Sequence, residues 1–274
     1  MKKQNLYIYH ILSFCILILA AGIPIILHGS PQNDRRLAEA TGIDKGDAFY
    51  TLAKEAIGQD PEKSLQYAGS GIRFLMAPEW QHRRSLRNVR QLLAKLHHIR
   101  GKALLKLSRL EQAMVSQRSA LSFLEESDEE RLTGLVYIEL GKIFFAISDT
   151  DTALKYYREG ERIFIVLQDD RELAEIHNRI GVLYFHLARY DKALERFLKA
   201  VEVFEALGNQ KRMANLLNNI GAIHLKIRNN TEAAQYFSRS ISIKRKLNDN
   251  PGIGRSFNNL ASLYLEQRQY DTAL

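Results

Sequence analysis

A 40-residue internal repeat is the feature that most limits how this chain can fold. A small residue recurs at this spacing, an alanine follows it after twelve residues, and an aromatic residue follows that alanine after four in three copies, with Gln117 instead in the first. The small residues are Gly101, Gly141, Gly181, Gly221 and Ala261, and the alanines are Ala113, Ala153, Ala193, Ala233 and Ala273. A period of this length indicates stacked units that share one continuous core.

Each unit has the pattern of two helices. Residues 79–250 contain no proline, and no run there alternates strictly enough to be a strand. Ile176, Ile180 and Tyr184 share one face of a first helix, and Ala193 and Phe197 lie on the inner face of a second. We expect the small residues to let the two backbones approach closely, with the aromatic ring beside them. The polar residues expected to cap the second helices are Asp151, Asp191, Thr231 and Asp271.

These residues resemble the signature of the tetratricopeptide repeat family. The resemblance is carried by Gly181-x2-Tyr184, by Ala193-x3-Phe197 and by Tyr264, which repeats the register of Tyr184. It implies an all-α, right-handed superhelical solenoid of antiparallel helix pairs. The period of 40 exceeds the commoner one of about 34 and is similar to a longer variety in bacterial signalling proteins.

The chain divides into four predicted segments. A signal or anchor segment at 1–30 and a linker at 31–45 precede a degenerate helical repeat at 46–83, and the repeat array at 84–274 contains about four and a half repeats. In the degenerate repeat, Pro61 follows Asp60 and predicts the start of a helix that ends near Leu75. We expect the last repeat to be incomplete, because its second helix begins at Asp271 and the sequence stops at Leu274.

The amino-terminal segment has the composition of an export signal. An apolar run of 17 residues, Ile11 to Leu27, follows Lys2 and Lys3. Its length fits either a cleaved signal peptide or an uncleaved membrane anchor. Positive charge before the run favours an amino terminus inside the cell. We therefore expect the body to face the periplasm or exterior as a membrane-anchored protein, or to be released to the periplasm after cleavage.

The sequence lacks the motifs of an enzyme. It has no His-Glu-x-x-His pair and no phosphate-binding loop, and its single cysteine excludes a Cys-ligated zinc site. We therefore expect no cofactor, metal or catalytic residue in these 274 residues. The sequence leaves open whether a catalytic domain follows Leu274.

Two sets of surface residues are candidates for binding. The first comprises the amides and the arginine at two adjacent registers of the first helices: Asn178, Arg179, Asn218, Asn219, Asn258 and Asn259. The family resemblance places them on the groove of the superhelix, where members hold peptides. Asparagine can donate to and accept from a peptide backbone. The alternative is an interhelical bond that fixes the register of the repeats.

The second set lies in a basic stretch. Residues 79–118 contain ten Lys or Arg against two Glu, and the spacing of Arg83, Arg87 and Arg90 predicts one helical stripe. The stripe is either a solvated face or a surface for an acidic peptide or anionic lipid headgroups. We expect no nucleic acid partner, because no aromatic stacking platform accompanies the basic residues.

These features together predict a non-enzymatic scaffold for protein–protein interactions. Its expected partners are a protein or peptide in the groove and a membrane through the amino-terminal segment. The resemblance implies the sensory or input region of a longer signalling protein. The alternative is a separate scaffold for envelope assembly or secretion.

Overall fold

The chain is built from helices. The computed structural model describes residues 31–125 and 127–266, and every regular element within these two ranges is helical, which confirms the predicted all-α class. The helices are α1 (Pro31–Glu39), α2 (Gly42–Ala56), α3 (Pro61–Met76), α4 (Arg87–Lys106), α5 (Leu110–Leu124), α6 (Glu130–Ala146), α7 (Thr150–Val166), α8 (Asp170–His186), α9 (Tyr190–Ala206), α10 (Gln210–Lys226), α11 (Asn230–Lys246) and α12 (Asn250–Glu266). A short 3-10 helix, Pro78–Arg83, separates α3 from α4.

Within the described residues, consecutive helices pack as pairs, and the main contacts of each pair are with the pairs beside it. The five pairs are α2–α3, α4–α5, α6–α7, α8–α9 and α10–α11, and α12 begins a sixth. The first helix of one pair also touches the first helix of the next, as α4 touches α6 and α10 touches α12. Contacts restricted to neighbours are the mark of a repeat fold, in which stacking buries faces that a single pair leaves exposed.

The repeated glycines are the points where the two helices of a pair cross. A Cβ atom added to Gly181 would lie 2.7 Å from the ring of Phe197, and one added to Gly221 would lie 2.7 Å from the ring of Phe237. Tyr157 fills the same place beside Gly141. The four alanines within the described ranges, Ala113, Ala153, Ala193 and Ala233, are fully buried. The structure therefore confirms that a glycine and an aromatic ring interlock at the crossings α6–α7, α8–α9 and α10–α11.

The first unit of the array replaces the aromatic ring with a polar network. Gln117 is completely buried against Gly101 and donates from Nε2 to the main-chain oxygen of His98 at 3.1 Å. Its Oε1 lies 3.1 Å from Nδ1 of His98, which burial keeps neutral by lowering its pKa to about 4. Both polar groups of the glutamine are satisfied, so the substitution is accommodated without an orphaned donor.

The helix starts differ from the sequence prediction by two residues. Asp149, Arg189 and Asn229 precede the second helices, whereas the sequence predicted Asp151, Asp191 and Thr231 as caps, and Asp271 lies outside the described residues. The difference arises in the preceding turn, where one residue has a left-handed backbone and ends the first helix. These residues are Ser108, Ser148, Ala188 and Arg228, and Gln168, Gly208 and Asn248 have the same conformation after the second helices.

The region predicted as a linker, 31–45, is largely helical. It contains α1 and the first turn of α2, which begins at Gly42. Leu37 packs against the amino-terminal core, and Arg36 forms an ion pair with Glu55 at 3.3 Å. As predicted, Asp60 caps α3, and its carboxylate accepts the Lys63 N–H at 2.9 Å. The signal or anchor prediction for 1–30 lies outside the described residues.

Candidate ligand-binding cleft

The first helices of four successive pairs line one open cleft of about 210 Å³. It receives Lys102 from α4, Lys142 from α6, Arg179 from α8 and Arg212 from α10. The repeat brings these residues together because positions 40 apart occupy the same face of the first helices of successive pairs. Of the six groove candidates from the sequence, Arg179 lines this cleft, and the five asparagines do not.

Positive charge exceeds negative charge in this cleft. The cationic side chains that line it are Lys102, Lys142, Arg171, Arg179 and Arg212, and the carboxylates are Glu139, Glu172 and Glu175. Glu139 accepts a hydrogen bond from Lys142 at 2.8 Å, and Glu175 pairs with Arg212 at 2.6 Å. Glu172 pairs with Arg131 at 3.0 Å.

Three of the five cations have no carboxylate partner within 4 Å in ranges 31–125 and 127–266: Lys102, Arg171 and Arg179. All three carboxylates of the cleft are already engaged by other cations. The cleft therefore has unused positive charge that an anionic group could balance.

The centre of the cleft is partly desolvated. Only 6% of the Glu139 surface is exposed. Burial raises the pKa of Glu139, but the neighbouring charge of Lys142 is among the effects that outweigh it, and the pKa lies below its usual value. Burial lowers the pKa of Lys142, and the nearby Arg179 lowers it further. Positive charges close together in a partly buried cleft repel each other, so a bound carboxylate would relieve that repulsion.

The asparagine candidates differ in their surroundings. Asn259 on α12 donates from Nδ2 to Oδ1 of Asn218 on α10 at 3.2 Å, so these two form an interhelical bond. Asn178 on α8 has a buried Oδ1 with no hydrogen-bond partner in the described part of the chain. Asn219 is half-buried and Asn258 is exposed. The structure thus joins one pair of candidates and leaves a buried acceptor free at Asn178.

The predicted basic stripe is not continuous. Arg83 ends the 3-10 helix and lies over the ring of Trp80 at 5.7 Å, whereas Arg87 and Arg90 belong to α4. Arg87 pairs with Asp128. Arg90 donates to the main-chain oxygen of Glu125 at 3.0 Å. The prediction of one helical stripe is therefore wrong, because the chain changes direction between Arg83 and Arg87.

Most other cations of the basic stretch also bind the protein itself. Lys106 donates to the oxygen of Ile57 at 2.9 Å, Arg84 to that of Ala77 at 3.0 Å, and Arg109 pairs with Glu62. Such bonds satisfy acceptors left open at helix carboxyl ends or join adjacent pairs. The surplus of positive charge in 79–118 thus holds helices together, and Lys102 is its contribution to the cleft.

Arg179 was predicted as a groove residue from the sequence, whereas Lys102, Lys142 and Glu139 were not. A signal for the two lysines was present. Lys102 and Lys142 each follow a repeated glycine by one residue and therefore share a register. Glu139 shares the register of Arg179. Comparison of charged residues at equal positions of the repeat would have identified them.

In the described part of the chain, no group of three or more His, Cys, Asp or Glu is placed to hold a metal ion. Within residues 31–125 and 127–266, no helix combines the length and apolar character needed to cross a membrane.

A family model described as tetratricopeptide repeat matches residues 172–246 and 212–274. This match identifies residues 172–274 as tetratricopeptide repeats. The earlier pairs of the chain, from α2 to α7, repeat the packing of these matched units. The sequence resemblance is therefore confirmed. A search of curated protein sequences returns no significant match.

Solved structures with the same fold have low sequence identity to this repeat protein. BtubC from P. vanneervenii has a TM-score of 0.60 and 17% identity, over 88% of this chain and 86% of its own. A STAND protein with a tetratricopeptide repeat sensor, from Pyrococcus horikoshii, has a TM-score of 0.71 and 15% identity, over 95% of this chain and 40% of its own. A Rap protein complexed with competence and sporulation factor has a TM-score of 0.59 and 17% identity, over 89% of this chain and 74% of its own. These likenesses establish the fold.

Proposed function

We propose that this repeat protein is a non-enzymatic scaffold that binds a peptide or a segment of a partner protein in the cleft of its first helices. The observation that carries the proposal is the unused binding capacity there. Lys102, Arg171 and Arg179 have no carboxylate partner within 4 Å among the described residues. Unpaired polar groups at partly buried positions cost free energy, and a ligand that pairs with them regains it.

The charge of the cleft selects the chemistry of the ligand. A peptide with acidic side chains would place a carboxylate among Lys102, Lys142 and Arg179, where only Glu139 now balances the charge. A guanidinium such as that of Arg179 can bind a carboxylate through two parallel hydrogen bonds. The amide of the half-buried Asn178, one residue before Arg179, would pair with the backbone of the same peptide.

The fold relatives are compatible with such a role. One of them, the Rap protein, is complexed with competence and sporulation factor, and another carries its repeats as the sensor of a STAND protein. For this chain we propose, in the same sense, a sensory or input role within a longer signalling protein.

Binding of an acidic peptide can be tested directly. A fluorescein-labelled decapeptide of alternating Glu and Ser is titrated with the protein, and a peptide with Gln in place of Glu is the reference. We expect the Glu peptide to bind more tightly and to lose affinity as salt is raised. Equal affinity for the two peptides would contradict the proposal.

A pair of variants tests the place of binding. Arg179→Gln removes a cation from the cleft, whereas Arg118→Gln removes an exposed cation of α5 that does not line it. We expect Arg179→Gln to weaken binding of the Glu peptide about tenfold, the value of one charge-assisted hydrogen bond, and Arg118→Gln to change it less than about twofold. Equal losses for both variants would indicate nonspecific attraction to the net charge.

We further propose that the body is exported and stays anchored by the apolar run Ile11 to Leu27. The support is that run and the two lysines before it, as in signal sequences and signal anchors. A reporter enzyme active only in the periplasm, fused after Lys45, should be active. Activity of only a cytoplasmic reporter at the same point would reverse the orientation. Membrane fractionation of the fusion then separates an anchored from a cleaved form.

A further inference from the structure

The junction between α11 and α12 has a different chemistry from the earlier junctions between pairs. The side chain that the second helix buries there is Leu124 in α5, Phe164 in α7 and Phe204 in α9, all at most 5% exposed. At the same register α11 has Lys244, which is 2% exposed. An apolar position in three junctions is therefore occupied by an ammonium group in the fourth.

Two further positions of this junction are also polar. Ser240 takes the place of Ala120, Gly160 and Ala200, and Ser256 takes the place of Val136, Ile176 and Leu216. Both serines are completely buried. Three adjacent apolar or small positions have thus become polar together.

These three side chains form one small hydrogen-bonded cluster. Lys244 Nζ donates to Ser256 Oγ at 2.9 Å, the two serine hydroxyls are 3.2 Å apart, and Ser240 donates to the main-chain oxygen of Ala214 at 2.7 Å. Within the described residues no carboxylate lies within 4 Å of the ammonium, whose other two N–H groups have no side-chain acceptor. A buried charge without an opposite charge destabilises the packed state.

Other contacts still hold α12. Leu263 packs with Ala233 and Phe237 of α11, Phe257 lies under the guanidinium of Arg245, and Asn259 donates to Asn218 of α10 at 3.2 Å. Within the described residues these contacts attach the helix, whereas the three polar positions of its junction with α11 add no apolar burial.

We propose that α12 opens from α11 as a unit at this polar junction, while the earlier pairs stay closed. Opening moves Asn258 and Asn259 away from the face that carries the other groove candidates. The number of repeats that contribute to the binding face then depends on the equilibrium between the closed and open positions of α12. Local opening of a weakly packed segment below the global unfolding energy is a general property of proteins.

Hydrogen exchange measured by mass spectrometry tests the proposal. Peptides from residues 250–266 should exchange at least about tenfold faster than those from 210–226, the equivalent helix of the preceding pair. The combined variant Lys244→Phe, Ser240→Ala and Ser256→Leu restores the chemistry of the α9–α10 junction. We expect it to slow exchange in 250–266 at least about tenfold and to leave 210–226 unchanged.

A milder variant separates this mechanism from simple fraying of a terminal helix. Lys244→Met removes the charge with little change in side-chain length, and Lys246→Met removes an exposed charge two residues away as the control. Slower exchange in 250–266 for Lys244→Met only supports the proposal. Equal exchange in wild type, Lys244→Met and Lys246→Met would overturn it, because fraying does not depend on Lys244.

Discussion

Asn259 donates a side-chain hydrogen bond to Asn218, 41 residues earlier, at 3.2 Å. The bond joins the first helices of two neighbouring units across the face where the groove candidates lie. It gives these two amides a structural role. Asn178, at the register of Asn218 in the preceding unit, has a free buried oxygen instead. Residues that look equivalent in the sequence therefore differ in the contacts that they make in the fold.

This difference predicts opposite results for Asn218 and Asn178, which share one register. Asn218→Ala should lower the free energy of unfolding by about 0.5 to 1.5 kcal/mol, and in the Asn259→Ala background the same change should cost much less, because the shared bond is already lost. Asn178→Ala should leave stability nearly unchanged and weaken binding of the acidic decapeptide. Urea denaturation and fluorescence anisotropy provide the two measurements. A stability loss for Asn178→Ala equal to that for Asn218→Ala would contradict the assignment.

Alanine substitutions at two helical glycines should change the free energy of unfolding in opposite directions. Gly181→Ala places a Cβ 2.7 Å from the Phe197 ring and should destabilise the fold by about 1 to 3 kcal/mol through overpacking. Gly254→Ala is the matched control, since this glycine is also helical but has no atom within 4 Å of the added Cβ. Its higher helix propensity should stabilise the protein by about 0.5 to 1 kcal/mol. Urea unfolding of both variants checks the signs, and a neutral Gly181→Ala would mean that the crossing can expand.

The helix crossings could be predicted from the sequence because they depend on residues at a fixed separation. Gly181 and Phe197 lie 16 residues apart in one unit, and the same separation recurs between Gly141 and Tyr157 and between Gly221 and Phe237. Two helices approach closely where one of them has a small residue at the crossing. The small size of the repeated residue is therefore enough to predict where the two helices of a pair touch.

The helix caps and the basic surface depended on information that a single sequence does not contain. The left-handed turn residue Ala188 is not a glycine or asparagine, so the end of α8 had no local signal. Partners of the basic residues lie far along the chain, as Asp128 does from Arg87 and Ile57 does from Lys106. A count of charges in a stretch cannot show that its cations are already bound elsewhere.

The turn residues predict a second pair of opposite substitutions. Ala188, in the turn from α8 to α9, and Gly208, in the turn from α9 to α10, both have a left-handed backbone, with φ of 54° and 64°. A residue with a Cβ in this left-handed conformation destabilises the folded protein by about 1 to 2 kcal/mol relative to glycine. Part of this difference is offset because glycine loses more conformational freedom on folding. Ala188→Gly should therefore raise stability by about 0.5 to 1 kcal/mol, and Gly208→Ala should lower it by a similar amount. Thermal melts followed by circular dichroism would show a higher Tm for the first and a lower Tm for the second, and shifts of the same sign would refute the turn assignment.

Burial of His98 predicts that the fold weakens in acid. Its pKa is lowered from 6.5 to about 4 in the folded protein, chiefly by desolvation. Between these two values the unfolded chain binds a proton that the folded protein does not, so unfolding is favoured as the pH falls. Above pH 6.5, His98 does not lower the free energy of unfolding. Between pH 6.5 and 4, its protonation in the unfolded chain should lower that free energy by about 3 kcal/mol in total.

A non-titrating substitution isolates that contribution. His98→Asn keeps an amide donor for Gln117 Oε1, which now lies 3.1 Å from His98 Nδ1, but it cannot take up a proton. The variant should be less stable than wild type at neutral pH, because its smaller side chain packs less well, and should lose less stability between pH 6.5 and 4. His82→Asn, at an exposed histidine of the 3-10 helix, should keep the wild-type slope. Urea unfolding at half-unit pH intervals measures all three proteins, and an unchanged slope in His98→Asn would show that His98 stays neutral in the unfolded chain or titrates freely in the folded one.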